Sequence, residues 1–185
     1  MKARLQSAAA IASVILVDRL TKLYIQAKYS QFDTTPIIAN ILNIVHVENP
    51  GAAFGMLGDA PIAWRRPVLV LFSGAIMAVI GWLLFRPQPK VAALGLTTHS
   101  ALTRFGLSLV LGGALGNMWD RVFRGTVTDF IQVFIGSYEF PSFNVADSMV
   151  DIGAGLLILD MWLTRPRPQI PSPESTSKPE TDSVT

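Results

Sequence analysis

Phe143-Asn144-Val145-Ala146-Asp147-Ser148 opens an apolar run that continues to Leu163, and upstream of it Gly125-Thr126-Val127-Thr128-Asp129-Phe130 follows another. A carboxylate, Asp129 or Asp147, therefore stands on either side of a short loop between two strongly apolar stretches. Ionisable groups beside hydrocarbon are costly, which makes them functional candidates by default. Half of the 185 residues are hydrophobic and only 15% are charged, with a mean hydropathy of +0.42. That balance belongs to an integral membrane protein.

A spanning helix needs roughly 20 mostly apolar residues. Four windows approach this: residues 5–24, 67–85, 102–119 and 146–163. Lys2 and Arg4 precede the first, Arg86, Lys90 and Arg104 link the second to the third without an acidic residue, and Arg165 and Arg167 follow the fourth. By the positive-inside tendency these regions are cytoplasmic, so both termini lie inside and the loop holding Asp129 lies outside. Asp18, Arg19 and Lys22 occupy the place where a signal-peptide cleavage site is expected, so the first span reads as uncleaved. Trp64, Trp82, Trp119 and Trp162 lie near span ends, as interfacial anchors do.

Within the outer loop of about residues 29–60, the Ile-, Val- and Leu-rich stretch Ile37 to Val47, ended by Asn49-Pro50-Gly51, reads as one or two short strands and a turn. Such a sheet belongs on the outer membrane surface, because extended backbone within hydrocarbon leaves unsatisfied groups. Domain 1–164 is thus a four-helix membrane unit. From residue 165 onward five prolines among Ser, Thr and Glu predict a disordered cytoplasmic tail.

Polar residues inside the spans share helix faces. Asp18, Thr21 and Lys22 fall at i, i+3 and i+4, where the plainer reading is an intrahelical Asp18–Lys22 ion pair. Gly112 and Gly116 offer a small-xxx-small packing face, and Asn117, Asp120 and Arg121 again take i, i+3 and i+4. Asp147 by itself reads equally well as a helix N-terminal cap. Asp151 lies one turn deeper, placed within reach of the Asp18–Lys22 face, and Asp160 lies toward the cytoplasmic end.

The chemistry open to such a chain is narrow. There is no cysteine, so thiolate catalysis and Cys-based metal sites are excluded. His46 and His99 fall on opposite faces, no HExxH occurs, and Ser73-Gly74 lacks the context of a serine intramembrane protease, so zinc and histidine-dependent hydrolysis fit poorly. The basic excess, 15 Lys and Arg against 13 Asp and Glu, is not clustered as a nucleic-acid interface. If Asp129 and Asp147 approach closely, repulsion leaves the pair with one proton, and an acid and a base result without metal or cofactor. Asn117, Arg121 and Asn144 are placed to orient that pair or to hold substrate. A small transporter or channel with an intramembrane ion pathway, and a noncatalytic assembly protein, are the rival readings.

Asp18-Arg19-Leu20-Thr21-Lys22, Asn49-Pro50-Gly51-Ala52-Ala53-Phe54-Gly55, Gly112 through Arg121, Val127-Thr128-Asp129-Phe130 and Phe140-Pro141 with Phe143 through Ser148 together resemble the lipoprotein signal peptidases, the type II signal peptidases of bacteria. The resemblance implies an all-α integral membrane protein with four transmembrane helices and a small periplasmic β-cradle in the first outer loop, located in the bacterial cytoplasmic (inner) membrane. It further implies an aspartic endopeptidase that cuts signal peptides from prolipoproteins, before a cysteine already bearing a diacylglyceryl group, and that is blocked by globomycin. Asp129 and Asp147 match the catalytic pair. Asn49, Gly51, Asn117, Asp120, Arg121 and Asn144 match site-lining positions, and Asp18 and Lys22 match the first-span motif. The inner loop from Arg86 to Arg104 and the Pro-rich tail depart from the pattern.

Overall fold

A computed structural model describes residues 2–51, 62–85 and 100–164, without the side chains of residues 62, 63 and 65. The Ala52-Ala53-Phe54-Gly55 motif, His99, most of the inner loop and the Pro-rich tail lie outside the described residues. The element order is α1 (Lys2–Lys28), β1 (Thr34–Ile38), β2 (Leu42–Asn49), α2 (Ile62–Phe85), α3 (Ala101–Phe123), β3 (Val127–Ile135), β4 (Tyr138–Glu139) and α4 (Val145–Leu163). Helices cover all four apolar windows, and α1, α2 and α3 run past theirs, because polar end residues such as Lys28, Arg66 and Arg121 continue a helix that a hydropathy window clips. Among the described residues, Arg66–Phe85, with mean hydropathy 2.5, is the segment long and apolar enough by itself to cross a membrane. The other three helices interrupt their apolar runs with ionisable residues.

Asp18, Lys22, Asp120 and Asp160 of these are inside, and many apolar side chains are outside. Lys22, Asp120 and Asn144 are completely buried, whereas Leu71 is 72% and Ile158 68% exposed. This inverts the distribution of a protein stable in water. It suits helices whose outer surfaces meet lipid and whose polar groups face one another.

α3 is the central helix, packed against α4, α1 and α2 in that order of extent. Its glycines set the approach. A Cβ at Gly112 would lie 2.8 Å from Val14 Cβ of α1, one at Gly116 2.6 Å from Asp18 Oδ2, and one at Gly113 2.3 Å from the Ala146 carbonyl oxygen of α4. The small-residue stripe thus faces both α1 and α4. At the other end, Ser100 caps α3, accepting from the Leu102 and Thr103 amides, and it also donates to Asp160 at 2.6 Å. Thr103 donates to the same carboxylate, so Asp160 ties the end of α4 to the start of α3.

The strands form one antiparallel sheet in the order β1-β2-β3-β4. This corrects two expectations. The sheet is not confined to the first outer loop, since β3 comes from the segment between α3 and α4, and Asp129 sits within β3 rather than beside a plain loop. The register pairs Val47 with Asp129, Glu48 with Thr128 and Asn49 with Val127, with a bulge between Ile44 and Val47. Arg124 and Gly125 both return their amides to the Asp120 carbonyl, at 2.8 and 3.1 Å. Gly125, at φ +85°, takes the left-handed conformation that lets the chain leave α3 and enter β3 directly.

Candidate active site

Asp129 is placed by the β2–β3 ladder. Its Oδ2 accepts from Asn49 Nδ2 at 2.9 Å and its Oδ1 from Asn144 Nδ2 at 2.7 Å. The Asn49 amide is oriented by Gly51, whose N–H donates to Asn49 Oδ1 at 2.9 Å, leaving the NH₂ for the carboxylate. Asp147 is placed by the start of α4. Asn144 is the N-cap and Asp147 the third helical residue of a reciprocal capping box: the Asp147 amide donates to Asn144 Oδ1 at 3.0 Å, and the Asn144 amide donates to Asp147 Oδ2 at 3.1 Å. The cap reading of Asp147 therefore holds. It does not exhaust the residue, because Asp147 Oδ1 also accepts from Asn117 Nδ2 at 2.7 Å. Asn144 touches both carboxylates and joins them.

A cleft of about 570 Å³ opens over the pair, lined by Asn49, Arg121, Asp129, Phe140, Phe143 and Asp147 among others. Burial foremost, reinforced by the Asp147 charge, pushes the Asp129 carboxyl up to about 7 against the opposing hydrogen bonds of Asn49 and Asn144. A carboxyl titrating there keeps its proton while a neighbour is ionised. Arg121 supplies the positive charge: its guanidinium feels Asp147, Asp129 and Asp120, and its Nε is buried without a hydrogen-bond partner among the described residues.

Beneath lies a charge-balanced cluster. Lys22 Nζ donates to Asp18 Oδ2 at 2.8 Å and to Asn117 Oδ1 at 2.9 Å. It also lies 2.9 Å from Asp120 Oδ2, near enough for an ion pair although not aligned as a hydrogen bond. Arg19, stacked over Trp119 at 5.9 Å, completes Asp120 at 2.5 Å. Two cations thus face two anions, as burial requires. The expected Asp18–Lys22 pair is present, but Asp18 Oδ1 also accepts the Ala146 amide of α4 at 3.0 Å, which caps the helix that carries Asp147. Asp120 pairs with α1 rather than with its helical neighbour Arg121.

The ten sequence-derived positions lie together: Asn49, Arg121, Asp129 and Asp147 line the cleft, Asn117 and Asn144 are buried behind the two carboxylates, Gly51 lies behind Asn49, and Asp18, Lys22 and Asp120 lie below. Asp151 does not meet the Asp18–Lys22 face; it lines the cleft, because a position four residues after Asp147 shares its face. Sequence reading missed the partnership of Arg19 with Asp120 and a polar group behind the sheet built on Glu48. The signal for the latter was the β-branched, aromatic composition of Val127 to Ile135, which marks a strand.

The model of a family described as signal peptidase (SPase) II matches residues 10–163. The chain belongs to the signal peptidase II family. The lipoprotein signal peptidase of Solibacter usitatus is 39% identical over 158 residues, which are 85% of this chain and 90% of that protein. That of Syntrophus aciditrophicus is 37% identical over 149 residues, 80% of this chain and 86% of its own. A bacterial membrane enzyme solved by the in meso method at 2.3 Å resolution superposes with a TM-score of 0.72 at 27% identity, covering 97% of this chain and 94% of the other. As a signal peptidase II, the protein is a peptidase and a bacterial membrane enzyme.

Proposed function

We propose that this signal peptidase II is an aspartic intramembrane endopeptidase that cleaves prolipoprotein signal peptides before a diacylglyceryl-modified cysteine, with Asp129 and Asp147 as its catalytic pair. The observation that carries the reading is the bridge through Asn144, which holds both carboxylates at one cleft while Asp129 is raised to about 7. With one shared proton the pair bears a single negative charge, which Arg121 balances.

One carboxylate takes a proton from water as its oxygen bonds to the scissile carbonyl carbon. The protonated partner donates to the developing oxyanion. As the tetrahedral intermediate collapses, the abstracted proton passes to the departing amine, the C–N bond breaks, and the hydroxyl formed from the oxyanion returns its proton to the partner carboxylate, restoring the singly protonated pair. Products are a signal-peptide carboxylate and a lipoprotein with a free amine on its lipidated cysteine. Asn49, Asn117 and Asn144 hold the carboxylates in place; no step calls for a cofactor.

The four helices are read as spans of the bacterial cytoplasmic membrane, with both termini inside and the sheet and cleft at the outer, periplasmic face. The exposed apolar helix surfaces support this. A channel or transporter needs polar groups through the full depth of several helices. Here they gather at one end, and Asp160 at the other is satisfied by Ser100 and Thr103. Reconstitution in proteoliposomes with a diacylglyceryl-modified prolipoprotein tests the reading. Globomycin-sensitive release of the signal peptide is expected; no cleavage, or equal cleavage of the unlipidated precursor, contradicts it.

A further inference from the structure

The β2–β3 ladder has two faces. Val47, Glu48, Asn49, Val127 and Asp129 all border the cleft, but the Glu48 carboxylate turns to the other face of the ladder, where it meets His46, Thr126 and Thr128. There the Glu48 carboxylate gathers three donors from the stretch Arg124 to Thr128. Its Oε2 accepts from Thr126 Oγ1 at 2.6 Å, and its Oε1 from Thr128 Oγ1 at 2.9 Å and Arg124 at 3.2 Å. Behind these, Gln26 of α1 donates to Thr128 Oγ1 at 2.7 Å and accepts from Arg124 at 2.6 Å.

His46 closes the group, with Nε2 3.1 Å from Glu48 Oε1 and Nδ1 2.8 Å from the Tyr29 carbonyl oxygen. Both neighbours are acceptors, so both contacts are hydrogen bonds only when both ring nitrogens carry hydrogen. Burial opposes charge on Glu48, but the hydrogen bonds from Thr126, His46 and Thr128 and the Arg124 charge outweigh it and hold the carboxyl below its ordinary value.

We infer that Glu48 is a positioning residue: with Gln26, Arg124, Thr126 and Thr128 it clamps the back of the β2–β3 ladder to α1, and so fixes Asn49 against Asp129 on the front. The lever is short. Glu48 precedes Asn49 and is paired with Thr128, which precedes Asp129, so any slack at the clamp passes one residue along each strand into the Asn49–Asp129 hydrogen bond. This rests on the aspartic reading of the site.

Thr128→Val keeps a β-branched side chain of similar volume at a fully buried position that lines no part of the cleft, and it removes the hydroxyl linking Gln26 to Glu48. Glu48→Ala removes the whole acceptor and Glu48→Gln restores part of it. With diacylglyceryl-modified prolipoprotein as substrate, kcat per folded enzyme in Thr128→Val should fall about 10-fold while KM stays within about 2-fold, since small misplacements of a catalytic group act on the chemical step. Glu48→Ala should fall further, and Glu48→Gln should lie between it and wild type. The alkaline limb of the rate profile should move to higher pH, because a loosened Asn49 no longer favours the ionised form of Asp129, while the Asp147 charge that opposes ionisation and Asn144, Arg121 and Lys22 that favour it stay in place. Unchanged kcat with an unmoved pH limb in Thr128→Val and Glu48→Ala overturns the clamp. Asp129→Asn in the same assay keeps the two claims apart: if that variant still cleaves, the aspartic reading fails; if it is dead while the clamp variants match wild type, only the clamp fails.

Discussion

Asp129→Asn should flatten the pH dependence of stability. In the folded protein the Asp129 carboxyl is raised from 3.8 to about 7, first by burial and then by Asp147. A difference of about three units, at about 1.4 kcal/mol each, amounts to about 4 kcal/mol. The sign follows from proton counting. Between about pH 4 and pH 7 the folded state keeps a proton that the unfolded chain has released, so stability from this group falls as pH rises through that window and stays low above it. Asparagine resembles the protonated carboxyl in shape but has no proton to lose; its NH₂ meets one of the two donors, Asn49 and Asn144, a cost that does not change with pH. Relative to wild type, the variant should therefore gain about 4 kcal/mol between pH 4 and pH 8, about 10 °C in the unfolding midpoint for a chain of this size. Thermal unfolding of both proteins in the same detergent across that range measures it, and groups not coupled to Asp129 cancel in the difference. A separation that stays constant with pH, or a variant that loses ground as pH rises, refutes the burial argument for Asp129.

Further outcomes follow from the same geometry. Cleavage by the wild-type enzyme should decline as pH rises through about 7, as the pair loses its shared proton, and Asn49→Ala should move that decline upward; a downward or absent shift in the rate profile contradicts the role of the Asn49 hydrogen bond. Gly113→Ala, whose Cβ would lie 2.3 Å from the Ala146 carbonyl oxygen, should cost about 1–3 kcal/mol by overpacking, read as a lower melting midpoint, while Gly155→Ala, with nothing within 4 Å, should melt no lower than wild type. Lys22→Met leaves the Asp18 and Asp120 carboxylates buried without their ammonium. It should destabilise by about 3–5 kcal/mol, and a melting midpoint equal to that of wild type excludes the charge-balance account.

The helices and the two carboxylates were readable in the sequence because each is a local anomaly. An apolar run is visible within its own window, and an aspartate inside it stands out against the cost of burial. Asp18 shows the limit. Its bond to Lys22 lies four residues away and follows from helical spacing, whereas its bond to the Ala146 amide spans 128 residues and depends on how α1, α3 and α4 cross. Asp151 was misplaced for the same reason: helix phase says which face a residue shares, not which helix that face meets. The sheet was half visible. Ile37 to Val47 announced strands by its β-branched residues, but Val127 to Ile135 was masked by the carboxylate and by its position between two apolar helices. With β3 went its pairing to β2, and so the Glu48 cluster.

The aspartic assignment of Asp129 and Asp147 is tested most directly by single turnover on a diacylglyceryl-modified prolipoprotein, with Asp129→Asn and Asp147→Asn reconstituted beside wild type and checked for folding by their melting. Both variants should be folded and inserted yet release no signal peptide. Cleavage retained by either folded variant would contradict the two-carboxylate mechanism.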